Sequence, residues 1–402
     1  MKVLVVDKFP DSAIQQMKAL GFEVAYNPDM KGDALVAEVK KSGADVLVVR
    51  STKVTEPMLE GSHLSLVVRA GYGYDTIDVA AASKRGIYVS NCPGKNSAAV
   101  AELAMGLLLA LDRRLADNVQ QLREKKWNKK DFSKARGLQG RTLGVLGVGT
   151  IGQLVIERAR AFGMKVAAWS RSLTPEKAAQ LGVERKSSPE ELAAAADAVS
   201  VHLALTPETK GICGEKFFAA MKKGTYFINT SRGGVVDAEA LKKAIREKGI
   251  RAGLDVFAKE PAQAAGAFED DVVELDGVYG THHIGASTDQ AQEAIAEETV
   301  RILQQYRDTG HVPNVVNLCV HSPATHLLVV RHADRVGVLA HVLTGLRSAG
   351  INVQEMENIV FDGAAAAIAR IHLDKAPADG TLEKIRSGSP DIFELNLLSL
   401  TP

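Results

Sequence analysis

Cysteine is scarce, with three residues in 402, at positions 92, 213 and 319. Scattered so widely, and without a C-x-x-C pair or a Cys/His ligand spacing, they exclude a disulfide framework and give no metal site to expect. Charge of one sign is also missing. Lys and Arg number 49 against 48 Asp and Glu, a net +1, so no global field draws the chain to nucleic acid or an anionic membrane. The local basic run REKKWNKK (123–130) reads as a solvated helix end. No hydrophobic run is long enough to span a bilayer: the longest, AVAELAMGLLLAL (99–111), is short and carries Glu102. The opening MKVLVVD lacks a signal peptide's apolar core and cleavage site and reads as a first β-strand. A cytoplasmic protein is therefore expected, with neither nucleic acid nor membrane as a partner.

What is present is an ordinary globular composition, 46% hydrophobic and 24% charged, at a length suited to two or three domains. Short β-branched runs alternate with amphipathic helical patterns through the first 285 residues, in two series. The first holds KVLVVD, EVAYN, DVLVVRS, LSLVVRAG and GIYVSN. The second begins at TLGVLGVGTIG (142–152) and continues through KVAAWS, AVSVHL, TYFINTS, RAGLDVF and GVYGTH. Buried strands separated by helices describe parallel sheets covered on both faces. A long apolar helix over about 96–118 links the series, and another, over 288–310, is expected to return to the first. After residue 320 the order becomes βαββαβ, a small sheet with helices on one face. The fold class expected is α/β, with two flavodoxin-like or Rossmann doubly wound parallel-sheet domains and a small C-terminal ferredoxin-like domain. The boundaries expected are 1–96 with 287–315, then 97–286, then 322–402.

Gly147, Gly149 and Gly152 form G-x-G-x-x-G directly after an apolar strand and at the opening of a helix. In that context the first glycine allows a tight turn, the second lets backbone approach a pyrophosphate, and the third allows close helix–strand packing. The second strand ends at Ser170 and Arg171, where a dinucleotide site selective for NAD carries an acid. An arginine there suits the 2′-phosphate of NADP, or else stacks beside adenine or faces solvent, which suits NAD equally. The cofactor expected is NAD or NADP.

Three stretches of the second series end strands at the carboxyl edge, where open α/β sheets bind ligands: INTSRGG with Arg232, GLDVFAKEP with Asp255 and Glu260, and GTHHIGAST with His283. Hydride exchange with an alcohol needs a base for the hydroxyl proton and a cation for the substrate's carboxylate, which histidine and arginine supply. A carboxylate beside the histidine would fix its tautomer. From spacing alone each of these residues also suits a structural role, and sequence distance does not bring Glu260 to His283.

Across residues 1–312 the motifs RAGYGYDTID, NCPGKNSAAVAELAMGLLLAL, LGVLGVGTIG, HLALTPETKG, INTSRGGVVDAEAL, GLDVFAKEP and HHIGAST occur in order. In them the chain resembles the D-isomer-specific 2-hydroxyacid dehydrogenases, most closely the members that oxidise 3-phospho-D-glycerate. The resemblance implies that His283 is the acid/base, Glu260 its partner and Arg232 a substrate-binding cation. It implies a cofactor-binding set of Val100, Gly147, Gly149, Thr150, Ile151, Gly152, Ser170, Arg171, His202, Leu203, Thr209, Thr230, Ser231, Asp255 and Gly285, with Asp255 toward the nicotinamide carboxamide. It also implies a substrate-binding set of Arg50, Ser51, Gly71, Tyr72, Gly73 and Asn96. Backbone N–H groups at Gly71, Tyr72 and Gly73 make a nest for a carboxylate. Arg50 stands where such enzymes carry an arginine for a substrate phosphate, with Lys53 able to assist. This chain departs from the family's pattern at Thr52, where a second arginine is frequent, and at His282 and Ala204, where proline is.

The segment VVRHADRVGVLAHVLTGLRSAGINVQEMEN resembles an ACT module, the regulatory unit that binds amino acids at paired interfaces. His332, Asp334, Gly337 and Asn352 match its ligand positions, and serine is the effector expected, although Asp334 would repel a carboxylate. The reading expected is interconversion of 3-phosphoglycerate and 3-phosphohydroxypyruvate, the entry to serine synthesis, by a homodimer or homotetramer. Its enzymatic alternative is a hydroxypyruvate or glyoxylate reductase. Its non-enzymatic alternative is a dinucleotide-sensing, corepressor-like binding protein of the same fold.

Overall fold

The computed structural model describes residues 1–261, 266–319 and 322–400. Residues 401–402, the end of the expected third domain, lie outside them. The chain divides into two compact units, Met1–Asn317 and Leu318–Pro402.

The first unit holds two parallel sheets. Strands β1 (Lys2–Val5), β2 (Glu23–Tyr26), β3 (Val46–Val49), β4 (Leu66–Arg69) and β5 (Tyr88–Asn91) pair in the order β2-β1-β3-β4-β5. Strands β6 (Thr142–Leu146), β7 (Lys165–Trp169), β8 (Glu184–Arg185), β9 (Ala198–Val201), β10 (Tyr226–Asn229), β11 (Arg251–Leu254) and β12 (Val278–Gly280) pair as β12-β11-β10-β9-β6-β7-β8. Both orders reverse direction once, between β1 and β3 and between β6 and β9. In open α/β sheets the crevice outside such a reversal is where ligands bind. Val3, Val5, Val46, Val48, Leu66 and Val68 are buried on one face and Leu4, Leu47, Val49, Val67 and Val89 on the other, as continuous apolar strands require.

Two helices connect the sheets. The Ser97–Arg113 helix buries Ala101, Ala104, Met105, Leu107, Leu108 and Leu111 against the second sheet. The Asp289–Thr309 helix sets Ile295, Ala296, Val300, Ile302 and Leu303 into the core of the first sheet, beside Val3, Phe9 and Met17. The chain leaving it is fastened where Ser90 Oγ donates to the Pro313 carbonyl at 2.6 Å.

The continuous helix expected over 96–118 is broken. It stops at Arg113, Arg114 turns left-handed (φ 50°), and a new helix runs over Leu115–Arg123. The Asn118 side chain amide donates to the carbonyls of Arg113 and Arg114 at 3.1 and 2.9 Å, satisfying groups a helix end leaves open. The Arg114 guanidinium pairs with Asp117 at 2.9 Å. The apolar periodicity runs through the break because it does not register these local hydrogen bonds.

The second unit has the expected βαββαβ order. Strands β13 (His326–Ala333), β14 (Val353–Val360), β15 (Ala366–Leu373) and β16 (Ile392–Ser399) form one antiparallel sheet, β14-β15-β13-β16, with helices Val338–Ser348 and Thr381–Ser387 between them. Leu328, Val330, Val342, Leu346, Ala369, Ile371 and Ile385 make its core.

Leu108 is 1% exposed in the helix that seats the second sheet. Leu108→Ala is expected to cost about 2–5 kcal/mol, read as a lowered urea midpoint with an unchanged slope.

Candidate active site

The turn after β6 is built for close approach. Gly147 adopts φ 101° and donates to the Trp169 carbonyl at 2.8 Å, and a Cβ on it would run into the His202 carbonyl. A Cβ on Gly152 would meet the Gly147 carbonyl, so the Thr150–Ala161 helix lies against the turn. Around Gly149 there is open space, with no heavy atom within 4 Å of where its Cβ would lie. This residue caps the helix without a side-chain hydrogen bond, so the first-turn N–H groups, including those of Ile151 and Gly152, stand open to an anion.

The neighbouring strand ends line the same crevice. At the end of β7, Arg171 is well exposed, and its guanidinium lies 3.7 Å from Glu208, which accepts from the Thr206 hydroxyl at 2.6 Å. Ser170 precedes it at the strand's mouth. After β9, His202 Nε2 pairs with Ser200 Oγ at 2.8 Å, and burial pushes the ring's pKa down to about 3, so it is neutral. Leu203 packs beside Gly147 and into the second sheet's core. Thr209 is buried and shapes the loop, accepting from Thr206 N at 2.8 Å and donating to the Ala204 carbonyl at 2.6 Å. After β10, Ser231 N and Oγ both donate to Asn229 Oδ1, at 3.0 and 2.7 Å.

Among the described residues, the buried atoms Arg69 Nε, Thr76 Oγ1, Asn96 Oδ1, Ser97 Oγ, His202 Nδ1 and Thr230 Oγ1 have no hydrogen-bond partner, and they lie at or beyond the carboxyl ends of β4, β5, β9 and β10. Each such atom costs about 1–3 kcal/mol if left unpaired. Their concentration there, with the open glycine turn, fits a bound dinucleotide and a polar substrate.

Hydrogen bonds to Asp255 hold the loop after β12. Asp255, 1% exposed at the end of β11, accepts through Oδ1 from Thr281 Oγ1 at 2.6 Å and Ile284 N at 2.8 Å, and through Oδ2 from Gly285 N at 2.9 Å. Its carbonyl accepts from His283 N at 2.9 Å. These bonds hold His283 at φ 53°, a conformation uncommon for a residue with a side chain. His283 Nδ1 then lies 2.8 Å from Glu260 Oε2, while Glu260 Oε1 accepts from Phe257 N at 2.9 Å. Burial would raise the Glu260 carboxyl, but the bonds from His283 and Phe257 and the Arg232 charge outweigh it and hold the pKa below the usual range. Nδ1 is thus the donor to an anion, and Nε2 is left for a second proton partner. Gly285 packs against Asp255 and the side chain of Val100.

Arg232 donates from Nε and Nη2 to Asp75 at 2.9–3.1 Å and from Nη1 to the Ser231 carbonyl at 2.8 Å. Of the expected nest, Gly71 N is already donated to the Arg69 carbonyl at 2.8 Å, a tight turn that leaves Tyr72 and Gly73 N–H to a ligand. The Tyr72 carbonyl accepts from Asn91 Nδ2 at 2.6 Å. Arg50 and Ser51 sit at the reversal of the first sheet, where Asp7 Oδ2 accepts from Arg50 N at 2.7 Å and Ser51 N at 3.1 Å. Thr52 donates to Asp7 from N and Oγ1, at 3.0 and 2.9 Å, and Lys31 Nζ reaches Thr52 Oγ1 at 3.1 Å. Position 52 is therefore a link to a lysine from the preceding crossover. Asp7, Lys31, Arg69 and Asp75 escaped the sequence reading. The acid closing KVLVVD, and the arginine and aspartate inside RAGYGYDTID, were the available signals.

In the second unit, His332 is buried, with Nδ1 2.8 Å from the Ala333 carbonyl and Nε2 3.1 Å from Asn358 Oδ1. Both ring nitrogens are thus occupied within the fold. Asp334 is exposed, Gly337 caps the 338–348 helix at φ 92°, and Asn352 N donates to Asp374 at 2.9 Å.

Residues 105–285 match the family model described as D-isomer specific 2-hydroxyacid dehydrogenase, NAD binding domain. A D-3-phosphoglycerate dehydrogenase of Methanocaldococcus jannaschii is 41% identical over 326 residues, covering 79% of this chain and 60% of the relative. The one from Archaeoglobus fulgidus is 35% identical over 412 residues, covering 100% of this chain and 74% of that protein. A glyoxylate reductase of Thermococcus litoralis is 37% identical, with 79% of this chain and 96% of the relative covered. The chain thus spans about three fifths of the length of the first of these relatives. Among solved structures, the NAD+-bound 3-phosphoglycerate dehydrogenase of Entamoeba histolytica superposes with a TM-score of 0.66 at 28% identity, over 80% of this chain and 99% of that one. An acyclic imino acid reductase in complex with NADPH and D-Arg gives 0.70 at 28% identity, over 79% and 100%.

The open space at Gly149 separates folding from binding. Gly149→Val is expected to leave the melting temperature nearly unchanged, because its backbone is extended and unobstructed, while weakening NADH binding at least tenfold by calorimetry.

Proposed function

The chain belongs to the D-isomer-specific 2-hydroxyacid dehydrogenases, and we propose that it interconverts 3-phospho-D-glycerate and 3-phosphohydroxypyruvate, using NAD or NADP. The observation that carries this reading is the His283–Glu260 pair at 2.8 Å, held on the Asp255 loop of the sheet that bears the open glycine turn. A bound dinucleotide supplies the hydride for reduction and accepts it in oxidation. His283 Nε2 gives a proton to the oxygen of the 2-keto group as C2 is reduced, and takes it back from the hydroxyl in the reverse direction. Glu260, anionic throughout, stabilises the imidazolium between these transfers. Arg232 pairs with the substrate carboxylate and polarises the neighbouring carbonyl. Tyr72 and Gly73 N–H groups complete that anion site, and Arg50 meets the phosphate.

Gly147, Gly149 and the first turn of the 150–161 helix would hold the pyrophosphate, with Thr230 and His202 offering unpartnered polar atoms nearby. Arg171 would meet a 2′-phosphate, but Glu208 stands 3.7 Å away and offsets part of its charge, so use of both cofactors is expected. The second reading, a glyoxylate or hydroxypyruvate reductase, is favoured by Thr52 in place of a further phosphate-binding arginine and by the likeness to the Thermococcus enzyme. We further propose a homodimer or homotetramer in the cytoplasm, with the C-terminal βαββαβ unit as an ACT-like module for an amino-acid effector such as serine. No helix among the described residues is long and apolar enough to cross a membrane.

Absorbance at 340 nm, crossing NADH and NADPH with phosphohydroxypyruvate, hydroxypyruvate and glyoxylate, tests the reading. The phosphorylated acid is expected to give the highest kcat/KM, and Arg50→Gln to lower that value at least tenfold while leaving glyoxylate turnover within about threefold. Faster turnover of the unphosphorylated acids by the wild type would favour the second reading. Glu260→Gln removes the anion that stabilises protonated His283. This variant is therefore expected to lower kcat/KM for reduction at least tenfold with melting temperature and NADH affinity kept. Steady-state kinetics check it, and an unchanged kcat/KM would remove Glu260 from the mechanism.

A further inference from the structure

Arg232 stands in the loop after β10 of the second sheet, and Asp75 in the loop after β4 of the first. Their contact crosses between the sheets and is closely made: Nε to Oδ1 and Oδ2 at 3.1 Å each, and Nη2 to Oδ1 at 2.9 Å. Asp75 therefore holds the side-on edge of the guanidinium, the one formed by Nε and Nη2. Nη1 adds a bond to the Ser231 carbonyl. A guanidinium carries five N–H donors, so an end-on pair from Nη1 and Nη2 remains for a second, bidentate carboxylate.

A second cation makes this contact necessary. Arg69, buried at the end of β4, is pulled down to about 10 by its burial and by Arg232, with Asp75 acting in the opposite direction. Its Nη1 donates to the Ala70 carbonyl at 3.3 Å, and its Nε has no partner among the described residues. Two guanidinium charges thus act on one carboxylate, Arg232 through direct bonds and Arg69 through its charge alone. Burial would raise Asp75, but the bond and charge of Arg232 and the charge of Arg69 hold its pKa below the usual range, so it is an anion. Gly73 leaves room for the arrangement, since a Cβ there would strike Arg232 Nη2 and approach Asp75 Oδ1 to 3.0 Å.

We infer that Asp75 is a positioning residue for the substrate: it fixes Arg232 across the cleft and offsets the Arg69 charge, so that the end-on N–H pair of Arg232 is preset for a 2-keto or 2-hydroxy carboxylate. The inference rests on the reading in which Arg232 binds that carboxylate. Without Asp75, repulsion from Arg69 and the freedom of a long side chain would move the donors away, and misplaced donors lose much of their effect.

The test is calorimetric titration of oxalate, a small dicarboxylate, into the full chain saturated with NADH. It compares wild type with Asp75→Asn, Asp75→Ala, Asp75→Glu, Arg232→Gln and the Asp75→Asn/Arg232→Gln double variant. Melting temperature and NADH affinity serve as folding controls. The Asn and Ala variants that pass them are expected to bind oxalate at least tenfold more weakly, and the Glu variant, which keeps the charge, to recover part of the loss. The double variant should bind no more weakly than Arg232→Gln alone, because the two residues act as one unit. If Asp75→Asn binds oxalate as well as wild type or better while Arg232→Gln loses it, Asp75 is a bystander or a competitor and the inference fails. If Arg232→Gln itself binds oxalate normally, the underlying reading of Arg232 fails instead.

Discussion

One buried carboxylate organises the edge of the second sheet on which the proposed acid–base pair stands. Asp255 receives three donors from residues 281–285 in addition to the backbone bond that its carbonyl makes with His283. A carboxylate taken out of water needs such donors, and here the need is met by folding one loop around it. The loop's other conformations leave either the carboxylate or the N–H groups of Ile284 and Gly285 unpaired. That penalty outweighs the strain of a left-handed His283, for which order 1–3 kcal/mol is typical. The histidine is delivered to Glu260 because Glu260 follows the same strand, five residues after Asp255, and is itself fixed by the Phe257 N–H. The pair proposed for proton transfer is thus held by bonds from within the chain itself, as efficient proton transfer requires.

The two sheets of the first unit share a logic. Each places polar groups just beyond its strand reversal: the side chains of Asp7 and Arg50 after β1 and β3, the glycine turn at Gly147 and the His202 ring after β6 and β9. Asp7 folds the 50–52 loop much as Asp255 folds the 281–285 loop, with three backbone N–H donors on one carboxylate oxygen. Aspartates at strand ends therefore fix both loops. The unpaired polar atoms lie at or just beyond such strand ends, where a polar ligand would supply their partners.

Much of the fold was legible in the sequence because buried parallel strands read as apolar β-branched runs and their ends as Gly, Asp or Asn. The strands beginning KVLVV, TLGVL and TYFIN and the βαββαβ order after residue 320 all came from that pattern. The break at Arg114 was not legible, since a helix periodicity carries no record of one asparagine turning back on two carbonyls. At the proposed site, the glycines, Arg232, Asp255 and His283 carried a signal of residue type and motif. Residues defined by a partner far away in sequence carried none. Asp75 meets Arg232 across 157 positions and Lys31 meets Thr52 across 21, and no spacing rule connects either pair. Gly71 shows the same limit at short range, for its N–H looked free until the turn to Arg69 was seen.

Proton transfer by His283, as proposed, depends on which of its nitrogens carries the proton when the ring is neutral. Nitrogen-15 NMR of histidine-labelled protein, with the resonance assigned by its loss in His283→Gln, reads that tautomer directly. A proton on Nδ1, facing Glu260, with Nε2 bare, is the result predicted by the Asp255 clamp and the 2.8 Å pair. A neutral ring protonated on Nε2, or an even mixture of the two forms, would contradict it.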